Sequence, residues 1–167
     1  YNPSRLDEIP RSITTPTVIS DYNRERGILI HRLLEYLPDV PQAARQETAR
    51  YMLEHHSSYR VKKEQDTLLN EVFSVLDHPQ FRHVFTEGSR AEAAICGKVN
   101  ERFYSGQIDR IAVVNNDVYI VDYKTGHAPE NNNAIPLAYV QQMAVYTALL
   151  QPCLLYTSPS PRDSIAS

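Results

Sequence analysis

The chain has 167 residues, enough for one domain with an ordinary hydrophobic core. Its formal charge of -3 excludes wholesale electrostatic coating of nucleic acid, so any DNA contact must come from a local basic surface. Cys96 and Cys153 are too few for a disulfide framework or a four-thiolate iron–sulfur site and fit a reducing, cytoplasmic setting; no apolar run reaches membrane-spanning length and no signal-peptide pattern is present.

Residues 1–19 are rich in Pro, Ser and Thr without periodicity. They are expected to be an extended lead-in from a preceding domain, and a start at Tyr1 fits a piece of something longer. Ser20 is the expected N-cap of a helix over about 21–37, closed by Pro38. Two further helices are predicted over about 42–56 and 60–77, the second with Leu68, Leu69, Val72, Phe73 and Leu76 at helical spacing. His78-Pro79 ends it, and a short helical turn fits 79–85. Strands follow at about 91–98, 102–114 and 117–125. A loop rich in Pro and Asn covers 126–136, and a last helix about 137–150. This order predicts an α/β fold with a mixed central sheet and helices on both sides. Leu154-Leu155-Tyr156-Thr157 could add a strand, but 152–167 otherwise read as a low-complexity tail of non-native origin, outside a domain expected at 20–151. No function is read from it.

The stretch from Gly106 to Gly126 carries the chemistry. Asn115-Asn116 favours a two-residue hairpin turn, which pairs Val114 with Asp117. Continuing that register sets Asp109 directly opposite Asp122 among aliphatic residues, with Lys124 on the same face because the strand period is two. Two opposed carboxylates are unfavourable unless a cation sits between them. The hairpin is therefore expected to hold a divalent metal beside a lysine, and hard oxygen ligands favour Mg²⁺ or Mn²⁺ over zinc. Taken alone, Asp-x-Lys is a common tripeptide whose ordinary reading is a surface ion pair. His31 is a lone helical histidine, a residue usually structural or solvated. Gly27, one turn earlier on the same face, would let that helix approach a sheet closely. Tyr139, Gln142 and Tyr146 form one helical stripe in which Tyr139 reads as core, while Gln142 calls for a polar partner.

Together, Gly27-x-x-x-His31-Arg-Leu-Leu-Glu35, Gly106-Gln-Ile-Asp109-Arg-Ile, Val121-Asp122-Tyr-Lys124-Thr-Gly and Tyr139-x-x-Gln142-Met-x-x-Tyr146 resemble the RecB-type branch of the PD-(D/E)xK nucleases. More narrowly they resemble the C-terminal nuclease domain of AddA-type helicase–nucleases, as does Gly88-Ser-Arg-Ala-Glu92-Ala-Ala-Ile-Cys-Gly97. The resemblance spans about residues 20–151. It implies a restriction-endonuclease-like core with a catalytic antiparallel hairpin. It also implies metal ligation by His31, Asp109, Asp122 and the Tyr123 carbonyl, with Lys124 as the catalytic lysine. Glu92 matches an upstream acidic position in the catalytic set, and Gln142 with Tyr146 a motif that positions DNA.

The implied activity is Mg²⁺-dependent hydrolysis of unwound DNA strands by metal-activated water, in double-strand-break repair beside an AddB-like partner. Some relatives carry an iron–sulfur cluster that two cysteines do not support. No Gly-x-x-x-x-Gly-Lys-Ser/Thr loop is present, so ATP would serve only an upstream helicase part. The alternatives are a stand-alone Cas-type or phage-type exonuclease, and an inactivated nuclease fold kept as a DNA-end clamp.

Overall fold

A computed structural model describes residues 7–8, 21–56, 61–125 and 129–155, with the side chains of residues 7, 8, 21 and 153–155 left aside. Ser20, Tyr156, Thr157, His127 and most of the 1–19 and 152–167 segments lie outside the described residues. The elements are β1 (Asp7–Glu8), α1 (Asp21–Tyr36), α2 (Arg45–Glu54), α3 (Lys62–Leu76), β2 (Arg90–Val99), β3 (Arg102–Val114), β4 (Asp117–Val121) and α4 (Leu137–Leu155). Short 3-10 turns at Leu37–Asp39, Gln42–Ala44, Arg82–Phe85 and Asn132–Ala134 link them.

The fold is α/β: a mixed sheet flanked by helices, consistent with the restriction-endonuclease-like core expected from the sequence. β2, β3 and β4 form its antiparallel part, and β1 pairs in parallel with β3 at Tyr104 and Ser105. The β3–β4 register runs from Val114↔Asp117 to Arg110↔Val121, the pairing set by a two-residue turn. Asn115 and Asn116 both have positive φ, 51° and 68°, as the primed turn requires. Asn100 and Glu101 repeat this at the tip between β2 and β3, with φ of 47° and 66°.

The sequence pattern carries β4 to about residue 125, whereas the strand ends at Val121. The cause is local: the Tyr123 amide donates to an Asp109 carboxylate oxygen at 2.7 Å, so the ladder gives way to a side chain there. At the other end of the chain, Leu154 and Leu155 belong to α4, which runs beyond the 137–150 expected for the last helix.

The chain divides into two compact units. One comprises Thr14–Ala93 and Ile108–His127, and its core is helical on one side and sheet on the other. α1 contributes Leu29, Ile30, Leu33 and Leu34, and Leu37 in the 3-10 turn that follows continues the i, i+3, i+4 stripe of an amphipathic helix. α2 adds Ala49 and Leu53, and α3 adds Leu68, Leu69, Val72 and Leu76. Ala112, Val114, Tyr119, Val121 and Tyr123 meet them from the hairpin. Burying each of the larger aliphatic side chains stabilises the unit by roughly 1.5–3 kcal/mol. The opposite hairpin face was expected to be covered as well, but Val113, next to the turn, is 67% exposed.

The end of α1 is fixed from outside the helix. The Leu34 carbonyl would normally accept from residue 38, but Pro38 has no N–H. Arg110 on β3 fills the gap, its Nη2 donating to the carbonyls of Leu34 at 3.1 Å and Glu35 at 3.0 Å. Its Nη1 donates to Ser89 Oγ at 2.7 Å, and the guanidinium lies 5.4 Å from the Phe85 ring centre. Arg110 has no exposed surface at all. Arg45 then ties down the following link through the carbonyls of Pro38 and Val40, both at 3.0 Å.

The second unit comprises Tyr1–Ile13, Ala94–Gln107 and Ala128–Ser167. In it, α4 packs so closely on β2 that a Cβ at Gly97 would stand 2.9 Å from Leu149 Cδ2. Gln142 and Tyr146 are buried one helical turn apart. Gln142 Nε2 donates to the Tyr146 hydroxyl at 3.1 Å, and that hydroxyl donates to the Gln107 carbonyl of β3 at 2.7 Å. The glutamine thus has the polar partner its place in the stripe called for. Removing the hydroxyl would delete both of these hydrogen bonds. Tyr146→Phe should therefore lower unfolding free energy by about 1–3 kcal/mol in denaturant titrations, and an unchanged midpoint would contradict this account.

Candidate metal centre

The residues singled out on α1, β2 and the hairpin converge within the first unit. Gly27 allows the approach: a Cβ there would lie 3.0 Å from Thr125 Oγ1, next to Lys124 in the chain. One turn on, His31 Nδ1 stands 3.7 Å from Asp109 Oδ2, and its ring meets Tyr123 edge-on with centroids 5.6 Å apart. His31, Glu92 and Asp109 each offer one ligand atom, and these atoms all lie within 4.8 Å of one another.

Glu92 reaches this group through an unusual backbone. It sits inside β2 with φ +50°, the left-handed region that costs a non-glycine residue roughly 1–2 kcal/mol. A left-handed residue breaks the alternation of a strand and re-aims its side chain. Here the outcome is a third donor beside the histidine and the aspartate.

Asp122 and Lys124 stand at the end of β4. Their side chains form an ion pair in which the Asp122 carboxylate is only 9% exposed. Asp122 is not among the three grouped donors, yet it is close enough to Asp109 for its charge to act there. Tyr123 N–H holds one oxygen of Asp109 and so orients that carboxylate.

The electrostatics match a site made for a cation. Burial raises the pKa of Asp109 above the ordinary 3.8, and the Asp122 charge pushes the same way. The Tyr123 amide, His31 and Lys124 oppose this without cancelling it. Burial also pushes the Tyr123 phenol up to about 12, against the pull of the neighbouring Arg110 guanidinium. One imidazole and two or three carboxylates, partly withdrawn from water, form a donor set suited to a divalent metal.

A comparison with protein-family models matches residues 4–159 to the PD-(D/E)XK nuclease superfamily. The chain belongs to that superfamily. It is thereby a nuclease-fold hydrolase of a metal-dependent family, and the clustered donors are the place where the metal fits. Neither curated proteins nor solved structures gave a match. Among the described residues, no helix is long and apolar enough to cross a membrane.

The structure thus brings together His31, Glu92, Asp109, Asp122, Tyr123 and Lys124 of the residues the sequence singled out. Gln142 and Tyr146 are built differently: 3% and 1% exposed, their polar ends are turned to each other and to the β3 backbone. Sequence reasoning passed over Arg110 and Ser89. The available signal was an arginine at an inward strand position, between Ile108 and Ala112, in a chain whose first helix ends at a proline.

The sign of the Asp109 shift gives a test. A carboxyl whose folded pKa is raised contributes stability that is full below about 3.8 and is lost as pH rises through the folded value. Metal-free protein at neutral pH carries that penalty. Asp109→Asn keeps an acceptor for the Tyr123 amide and removes the charge, so it should melt higher than wild type at pH 7 in chelator. It should also lose the stabilisation that Mg²⁺ or Mn²⁺ gives wild type. A melting temperature equal to or below that of wild type would count against the crowded-carboxylate account.

Proposed function

We propose that this chain is the DNA-cleaving domain of an AddA-type helicase–nuclease, hydrolysing strands delivered by an attached motor during double-strand-break repair in the cytoplasm. The observation that carries the nuclease reading is the convergence of His31, Glu92 and Asp109 on one point, with Asp122 and Lys124 alongside. The four sequence motifs support the narrower assignment and, with it, a DNA substrate and an AddB-like partner. Among stand-alone exonucleases, those of Cas or phage type are disfavoured by the Ser89-Arg-Ala-Glu92 context.

His31, Glu92 and Asp109 would hold the divalent ion, with Asp122 and the Tyr123 carbonyl completing the set from the hairpin. A bound Mg²⁺ or Mn²⁺ lowers the pKa of water and offsets negative charge on the phosphate. The protein does the rest by position. The Tyr123 amide restrains the Asp109 carboxylate by a hydrogen bond of 2.7 Å to one of its oxygens. Asp122 anchors the Lys124 ammonium at the rim, where it can orient an attacking water and face the oxygens of the scissile phosphate. Buried as they are, Gln142 and Tyr146 would position DNA indirectly, by holding α4 to β3.

End-labelled single-stranded DNA tests the reading. With Mg²⁺ or Mn²⁺ the protein should cut it, and Asp122→Ala or Lys124→Ala should slow cleavage about a hundred-fold or more, with the circular dichroism spectrum unchanged. Wild-type protein inert with either metal, alone and in its natural complex, would leave the DNA-end clamp as the better reading.

A further inference from the structure

The Arg110 fork ties together the three segments that carry His31, Glu92 and Asp109. Its two carbonyl acceptors, Leu34 and Glu35, lie one turn beyond His31 on α1. Its hydroxyl acceptor, Ser89, stands just before β2, three residues ahead of Glu92. Arg110 itself follows Asp109 on β3. Its planar guanidinium suits the task, because fixed N–H directions reach several acceptors at once.

We infer that Arg110 is a positioning residue for the metal centre, setting where α1 and β2 stand against β3 and thus the spacing of His31, Glu92 and Asp109. The inference rests on the nuclease reading and adds a residue to it that touches neither metal nor substrate. Lysine at this position keeps the charge but places it on one flexible ammonium, which cannot copy the fork. The carbonyls at the end of α1 and the Ser89 hydroxyl would then be held unequally, and the three donors would drift apart.

The test is Mn²⁺ binding by electron paramagnetic resonance, with melting curves on the same samples. Wild type, Arg110→Lys, Ser89→Ala and Leu53→Ala are compared; the last removes a buried core side chain of α2, an element that carries none of the fork's acceptors. Arg110→Lys should bind Mn²⁺ about ten- to a hundred-fold more weakly, the range typical when support behind metal ligands is removed. Ser89→Ala, which takes away one arm of the fork, should weaken it less. Leu53→Ala should melt lower yet keep the wild-type affinity. Equal affinity in wild type and a folded Arg110→Lys overturns the inference, as does an equal loss in Leu53→Ala. Should Arg110→Lys fail to fold, Ser89→Ala decides: unchanged affinity overturns the inference and weakened affinity supports it. Wild type that takes up no Mn²⁺ at all strikes the nuclease reading itself, which keeps the two failures apart.

Discussion

Carboxylates crowded where water is scarce repel one another, and this constraint shapes the whole first unit. Asp109 is partly withdrawn from solvent, with Asp122 close by and Glu92 within reach of the same point. Left to themselves, such groups would swing apart or take up protons. Each is restrained instead. A backbone amide holds Asp109, an ammonium holds Asp122, and a left-handed backbone aims Glu92 inward. The metal-free site is therefore preorganised at a cost, which fits a place whose proper occupant carries positive charge.

The restraints act in series with the core. α1 must be both a wall of the hydrophobic interior, through Leu29, Leu33 and Leu34, and the bearer of His31 on its other side. Its reach is limited by Pro38, which leaves a carbonyl that only a long buried donor can satisfy. Each hydrogen bond made by such a buried charged donor is typically worth about 1.5–3 kcal/mol, more than the exposed Arg50–Asp66 pair at 2.9 Å contributes. Stability and site geometry are thus coupled through the same side chain.

How much of this was legible in the sequence follows from how local each signal is. The hairpin was readable because Asn115-Asn116 and strict alternation act over a few residues, and the register follows from the turn. The helices of the first unit were readable by their apolar spacing, to within a few residues at each end. Where β4 ends was not, because a side-chain acceptor fourteen residues away takes the Tyr123 amide. His31 had no local mark, since a histidine on a helix says nothing about a sheet that begins some sixty residues later. Glu92 was singled out by resemblance alone, because no propensity foretells a left-handed glutamate in a strand. The fork of Arg110 spans 75 and 76 residues to its carbonyls, beyond any periodicity.

The left-handed Glu92 bears on how this chain could change. By backbone comfort alone glycine is the natural occupant of position 92, and it would relieve the strand. By charge it would take a donor from the centre. Selection or design for a tougher scaffold and selection for a working one therefore pull in opposite directions at this single residue.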